Sequence, residues 1–353
     1  MTNGIVRAVD IGFGNTKFVT GHPAGGEIVC DVVPSLAPIS RGISTIGGGV
    51  VGDNDVLEIQ LNGSKHIVGK DADKFMPATG ARILDPSYTG SDQYLALLRG
   101  ALAYMNEPHI ELLVLGLPIS TFDRCSPSVK KLATGEHVVP NLGHRLNPEA
   151  PKFMTVFVES ASVMQQPMGG FFDHLVRTKQ LLAIKKQTAL IVDVGFFTID
   201  WIVVQEGKPN PSRSGGWNGG MSGTLRAIAD AIERDQGVEI PTTSRVDACI
   251  RAGGTTLKIH GKETDIAPQL AAGKATARDY ISVLASGVGT GEDIDNIILA
   301  GGGAVFFLAA LQERYPRHEI TVVKDPVFGN VRGFQLVGED MLRRKRVLEQ
   351  RAA

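Results

Sequence analysis

Ala8-Val9-Asp10-Ile11-Gly12-Phe13-Gly14-Asn15-Thr16-Lys17 stands near the start of the chain. Just past the middle, Leu190-Ile191-Val192-Asp193-Val194-Gly195-Phe196-Phe197-Thr198-Ile199-Asp200 repeats its pattern. Each stretch is an apolar β-type run ending in Asp-x-Gly, then a tight turn, then a second apolar run. A carboxylate at the end of a buried strand costs several kcal/mol unless it is paired or faces a metal. Asp10 and Asp193 both carry that cost, so the repetition asks for a functional reason. Two such hairpins facing each other would clamp a metal–polyphosphate. Asp10 and Asp193 would hold Mg²⁺ mostly through its waters, because Mg²⁺ dehydrates reluctantly. Backbone N–H groups over Gly12–Thr16 and Gly195–Thr198 would form nests for phosphate oxygens. Lys17 would add a point charge, and Thr198 a hydroxyl donor.

Two other phosphate-binding readings fail on context. A dinucleotide fingerprint needs a helix directly after its glycines, whereas Lys17-Phe18-Val19-Thr20 continues as a strand. No Gly-x-x-x-x-Gly-Lys-Ser/Thr loop occurs anywhere in the chain.

Composition narrows the class. The 353 residues suit two domains with full-sized cores. Lys plus Arg number 36 against 37 Asp plus Glu, which argues against a bulk nucleic-acid or anionic-membrane binder. No apolar run reaches membrane-spanning length, and the basic and apolar regions of a signal peptide are missing, so a cytoplasmic protein is expected. The 3 cysteines, Cys30, Cys125 and Cys249, lack the paired spacing of a zinc or redox motif. Glycine, at 42 residues, comes in clusters that suggest backbone-lined ligand loops.

Strands alternate with helices, which predicts an α/β architecture of two related halves. Residues 4–20 read as one hairpin, and 56–61 with 66–68 as another around Asn62-Gly63. The Gly-rich stretch 41–54 reads as a surface excursion. Ser91 caps an expected helix over 92–105, and a buried strand follows at Leu112–Leu117. Residues 125–151 read as loops with short strands, and Phe153–Val158 as a further apolar run. A helix is expected from Gln166 to about Ile184, with the crossover between domains at Lys185-Lys186-Gln187. The second half then reads as a hairpin (190–205), a Gly-rich turn, a helix (222–235), helices near 244–252 and 274–286, the strand Ile297–Ala300, and a last helix from about Val331 to Gln350.

Further glycine clusters carry chemistry. Gly215-Gly216-Trp217-Asn218-Gly219-Gly220-Met221-Ser222 precedes an apolar-periodic helix; Ser222 reads as its N-cap and the helix N-terminus as favourable to an anion. Gly301-Gly302-Gly303 follows a buried strand and would let a flat ring approach the backbone. The run Arg343-Arg344-Lys345-Arg346 reads as the solvated face of a last helix.

Taken together, Asp-x-Gly-x-Gly-x-Thr-Lys, Asp-x-Gly-x-x-Thr-x-Asp and Leu-Ala-Gly-Gly-Gly resemble the phosphate-1, phosphate-2 and adenosine signatures of the actin-like ATPase superfamily. Leu115-Gly116-Leu117-Pro118, Gln166-Pro167-Met168-Gly169-Gly170 and Gly329-Asn330-Val331-Arg332-Gly333-Phe334 extend the match. Within the superfamily the chain is most similar to plasmid-segregation actins of the ParM/StbA type, including the PRTRC-cassette branch, and to archaeal actin-like proteins.

The resemblance implies an actin-like, duplicated ribonuclease H-like fold with a nucleotide cleft between two domains. Domain I would span 1–185, with a small subdomain inserted at about 34–85. Domain II would span 186–330, and a C-terminal helix at 331–353 would return to domain I. It implies ATP and Mg²⁺ as cofactors. Asp10, Gly12, Phe13, Gly14, Asn15, Thr16 and Lys17 would form the first phosphate loop. Asp193, Gly195, Phe196 and Thr198 would form the second. Gly219 and Gly220 would lie beside ribose and phosphates, and Gly301, Gly302 and Gly303 at the adenine. Gln166 would orient the attacking water, with Gln165 and Glu159 as alternatives; a Gln acts there by orientation, being too weak a base. The implied activity is ATP hydrolysis coupled to filament assembly, moving plasmid DNA through a DNA-bound adaptor. Self-association is expected, and direct sequence-specific DNA binding and membrane contact are not. A sugar or metabolite kinase of the same superfamily, or an ATP-binding regulatory module, are the alternatives.

Overall fold

The computed structural model describes residues 5–40, 54–77, 82–85 and 87–352. The expected excursion at 41–54 lies, but for its last residue, outside them. In chain order the first stretch contains β1 (Val6–Ile11), β2 (Asn15–Gly21), β3 (Val29–Pro34), β4 (Val56–Leu61) and β5 (Ser64–Gly69). Next come α1 (Asp92–Met105), β6 (His109–Ile110), β7 (Leu112–Leu117), α2 (Ile119–Ala133), β8 (Gly135–Pro140), α3 (Gly143–Leu146), β9 (Phe153–Val158), β10 (Ala161–Gln165) and α4 (Gln166–Arg177). The second stretch holds β11 (Thr188–Val194), β12 (Ile199–Gln205), β13 (Lys208–Trp217), α5 (Met221–Gln236), α6 (Ser244–Arg251), β14 (Thr256–Ile259) and β15 (Lys262–Asp265). It ends with α7 (Leu270–Val288), β16 (Asn296–Ala300), α8 (Ala304–Arg314) and β17 (Ile320–Val322), and α9 (Gly329–Ala352) follows.

These elements form two compact units. One comprises the described residues of 1–76, 82–177 and 328–353; the other, those of 77–81 and 178–327. The first unit is built on a sheet ordered β3-β2-β1-β7-β10, the second on a sheet ordered β13-β12-β11-β16-β17. Both sheets join an antiparallel three-strand meander to two further parallel strands.

Burial on both faces explains the near-continuous apolar strands of the first unit. Val9, Ile11, Leu113 and Leu115 pack with Leu97, Leu98 and Leu102 of α1 and Cys125 and Val129 of α2. Val6, Ala8, Leu112 and Val114 face the opposite way, against Val331, Phe334 and Leu342 of α9. Helices α4 and α9 cross at glycine: a Cβ on Gly333 would lie 1.8 Å from the carbonyl oxygen of Gly169. The Gly170 amide donates to Asn330 Oδ1 at 3.0 Å, and the buried Arg332 guanidinium donates to Asp173 at 2.6 Å. That crossing fixes the start of α4, where Gln166 sits. In the second unit Val192, Val194, Ile199 and Trp201 share one core with Leu225 of α5, Ile281 of α7 and Phe307 of α8.

Several sequence expectations hold at residue level. Helix α1 covers 92–105 and its Ser91 hydroxyl accepts from the Tyr94 amide. The β4–β5 turn places Asn62 and Gly63 both at positive φ, +48° and +80°, which a type I′ turn requires. Others are corrected. Residues 119–133 are helix despite Pro127, because Thr121, Cys125, Val129 and Ala133 bury one stripe spaced four apart. Helix α4 stops at Arg177 rather than near Ile184. Gly215 and Gly216 belong to strand β13, opposite Trp201 and Asp200, rather than to a turn. A Cβ on Gly215 would lie 2.9 Å from the Trp201 ring, so glycine makes room for the indole. The helix expected from 222 starts at Met221, with Gly220 and not Ser222 as its cap. The basic run on α9 is exposed at Arg343, Arg344 and Lys345, in line with the expected solvated face; Arg343 and Arg344 pair with Asp340 within the helix, and Arg346 reaches Glu111 before β7.

Candidate nucleotide half-sites

The Asp-x-Gly hairpin of the first unit brings Asp10, the turn and Gln166 together. Asp10, the penultimate residue of β1, stands opposite Lys17 of β2, and residues directly opposite in an antiparallel pair share a face. Lys17 Nζ donates to Asp10 Oδ2 at 2.9 Å and Gln166 Nε2 donates to Oδ1 at 2.7 Å. Asp10 is 1% exposed, so these donors offset the burial of its charge. Because Gln166 spends its amide nitrogen on Asp10, its carbonyl oxygen is the end left to accept. Glu159 instead lies half-exposed near His109, 3.8 Å away. A Cβ on Gly116 would meet both Phe334, at 2.4 Å, and Asp10 Oδ1, at 3.2 Å, so glycine keeps the space beside the carboxylate.

The turn itself is closed by the Gly12 amide donating to the Asn15 carbonyl at 3.2 Å. Outside contacts hold it. Gly14 O accepts from the Ser35 amide at 3.0 Å and from Arg82 Nη1 at 2.7 Å, and the Thr16 and Ser35 hydroxyls are 2.9 Å apart. Phe13 stacks on Tyr88 at 5.1 Å, and Tyr88 meets Tyr94 edge-on at 5.5 Å. Burial pushes both phenol pKa values far up, so the tyrosines stay neutral. Neither Arg82 nor Ser35 was signalled by the sequence motifs.

The second unit rebuilds the same turn, with the Gly195 amide donating to the Thr198 carbonyl at 2.9 Å. Here the turn carbonyls cap a helix. Gly195, Phe196 and Phe197 accept from the amides of Met221 (3.1 Å), Ser222 (2.6 Å) and Gly220 (3.1 Å). The first amides of α5 are therefore directed at the protein's own turn, which corrects the anion-binding expectation for them. Gly219 donates to Trp217 at 2.9 Å, and a Cβ on Gly220 would lie 2.6 Å from Gly195 O. Gly303 donates to Val194 O at 2.9 Å. Gly301, at φ +87°, comes so close that a Cβ would lie 2.3 Å from Asp193 Oδ1. Gly302 is more open: a Cβ there would lie 3.9 Å from the Arg251 guanidinium. The Gly219–Gly220 corner and the triple glycine thus converge on the Asp193 hairpin.

Asp193 stands opposite Asp200 on β12, and the two are 5% and 1% exposed. Asp200 is the functional candidate that the motif contained and sequence reasoning passed over; its signal was the closing Asp of the repeated stretch. Asp193 and Asp200 are the carboxylates of this half-site that could serve a divalent cation, since Mg²⁺ is held through one or two carboxylates and keeps several waters.

Comparisons with known proteins agree with this architecture. Residues 8–169 match the family described as "Actin like proteins N terminal domain", and 191–313 match "Archaeal actin homologue MreB-like, C-terminal". The chain belongs to the actin-like proteins. No curated protein matches it by sequence. Among solved structures, it is similar to a non-polymerisable quadruple mutant of pCBH ParM, with a TM-score of 0.74 at 21% identity, covering 96% of this chain and 100% of that one. A 15-stranded ParM filament from Clostridium botulinum gives 0.74 at 19%, covering 96% and 100%. The archaeal actin homologue Ta0583, in complex with ADP, gives 0.70 at 18%, covering 95% and 99%. At these identities the likeness is one of fold.

Proposed function

We propose that the chain is a filament-forming, Mg-dependent ATPase whose two Asp-x-Gly hairpins hold the phosphates of one nucleotide. The observation that carries this reading is the duplicated turn. Gly12-to-Asn15 and Gly195-to-Thr198 close the same loop after a buried strand-end carboxylate in each unit. Ta0583, of the same fold, is known with ADP bound. The turns at Gly12–Thr16 and Gly195–Thr198 would each offer backbone amides to phosphate oxygens, and Gly301–Gly303 would lie against the adenine. In each half-site the strand carboxylates, Asp10 in one and Asp193 with Asp200 in the other, would serve Mg²⁺ or its waters, and the ion would neutralise charge developing on the phosphates. Gln166, its nitrogen anchored on Asp10, would present Oε1 to the attacking water and orient it. Alignment and charge neutralisation supply most of the acceleration in phosphoryl transfer.

Assembly is the second part of the reading. A ParM of this fold forms a filament, and nucleotide-dependent polymerisation in the cytoplasm would position plasmid DNA through a DNA-bound adaptor. Sedimentation and light scattering with Mg-ATP or a non-hydrolysable analogue test it. Polymer should form above a critical concentration, and phosphate release should rise with it. Protein that stays monomeric across salt and magnesium, while transferring the γ-phosphoryl group of ATP to a hydroxyl of added sugars and releasing ADP, would favour the kinase reading instead.

A further inference from the structure

The hairpin of the first unit carries its own cation, and the matching register position of the second unit carries an acid. Lys17 Nζ lies 2.9 Å from Asp10 Oδ2, with the lysine side chain 16% exposed and the aspartate 1%. A Cβ on Gly12 would stand 3.4 Å from that same nitrogen, so the ammonium lies over the turn as well as against the carboxylate. We infer that Lys17 is a displaceable counter-ion: it neutralises Asp10 until a polyphosphate draws it onto the turn, so Asp10 opposes the binding of metal-free nucleotide. The inference rests on the nucleotide reading above and adds to it an order of events within one unit.

Three features support it. An ammonium on a four-carbon stem is a compact charge that swings between partners without moving the backbone. Charge-assisted hydrogen bonds to phosphate are strong enough to compete with a single carboxylate. Gln166 keeps Asp10 Oδ1 hydrogen-bonded at 2.7 Å after Lys17 leaves, so the carboxylate does not lose every donor. Once Lys17 has moved, Asp10 Oδ2 becomes accessible to the hydration shell of a divalent cation. Nucleotide arrival and cation arrival are thereby coupled through one side chain.

The test is a double-mutant cycle on the full chain, reading affinity for ATP in EDTA by calorimetry. Asp10→Asn keeps the shape of the carboxylate but releases Lys17, so metal-free ATP should bind about tenfold tighter than to the wild type. Lys17→Met should weaken binding. Adding Asp10→Asn to Lys17→Met should bring little further gain, because no ammonium is left to release. Melting curves confirm that each variant folds, with Lys17→Gln replacing Lys17→Met if the latter melts early. If Asp10→Asn fails to tighten metal-free ATP, the inference is wrong. An equal or larger gain in the Lys17→Met background also overturns it, since plain repulsion by Asp10 then suffices. A wild-type chain that binds no nucleotide even with Mg²⁺ removes the nucleotide reading itself, and this inference with it.

Discussion

The two units share one plan. Each runs a three-strand meander, a hairpin (β4–β5, or β14–β15 after α5 and α6), a helix into a parallel strand (α1–β7 or α7–β16) and another helix–strand pair (α2–β10 or α8–β17), while both α4 and the chain's last helix, α9, belong to the first unit. Their turns close with the same amide-to-carbonyl bond. They differ in what faces the strand-end aspartate: Lys17 opposite Asp10, Asp200 opposite Asp193. The same turn backbone thus carries different side chains in the two halves. A lysine therefore faces the aspartate in one half and a second carboxylate faces it in the other. A second difference is the three-stranded sheet β6-β9-β8, to which the second unit has no counterpart among the described residues.

The comparison can be broken at its centre. Asp200→Lys would install in the second unit the pairing found in the first, and should lower Mg-dependent phosphate release by about a hundredfold or more. Release that stays at the wild-type rate would show that the second carboxylate pair does not serve a cation. Glycine exchanges probe the backbones next. Gly301→Ala forces a Cβ to within 2.3 Å of Asp193 Oδ1 at φ +87°, and should destabilise by about 2–4 kcal/mol. Gly12→Ala meets the Asn15 carbonyl at 3.2 Å and the flexible end of Lys17 at 3.4 Å, and should cost about 1 kcal/mol or less. Denaturant melts of both read the contrast; equal losses would contradict the tighter packing claimed for the second half-site.

The smallest effect concerns the extra sheet. His137 is buried, which lowers its pKa below the ordinary 6.5. The unfolded chain then binds the proton more readily, so this contribution to stability is complete above pH 6.5 and is lost as pH falls through it. His137→Gln should flatten the acid side of a melting-temperature profile by a degree or so (about 0.5 kcal/mol). An unchanged profile would assign the acid loss to other groups.

Much of this was legible in sequence where backbone and side-chain signals agreed. Asp-x-Gly after an apolar run located both hairpins, Ser91 located α1, and Asn62-Gly63 located a turn. Legibility failed where long-range packing overrode local signals. Pro127 hid α2, whose buried stripe outweighs one lost hydrogen bond. Gly215, Gly216 and the prolines Pro209 and Pro211 disguised β13, an edge strand that tolerates them. The half-sites were legible as residue sets, yet not their bonding: that Lys17 and Gln166 converge on Asp10, and that the α5 amides turn inward, depends on tertiary register.

The central claim is that the paired hairpins bind one Mg-nucleotide per chain. Calorimetric titration of a non-hydrolysable ATP analogue, with Mg²⁺ present, tests it most directly in wild type and in Asp193→Ala. The account predicts one site per chain in the wild type, lost or greatly weakened in a variant that still melts cooperatively. Wild-type protein that takes up no nucleotide, or an Asp193→Ala variant that binds with undiminished affinity, would contradict it.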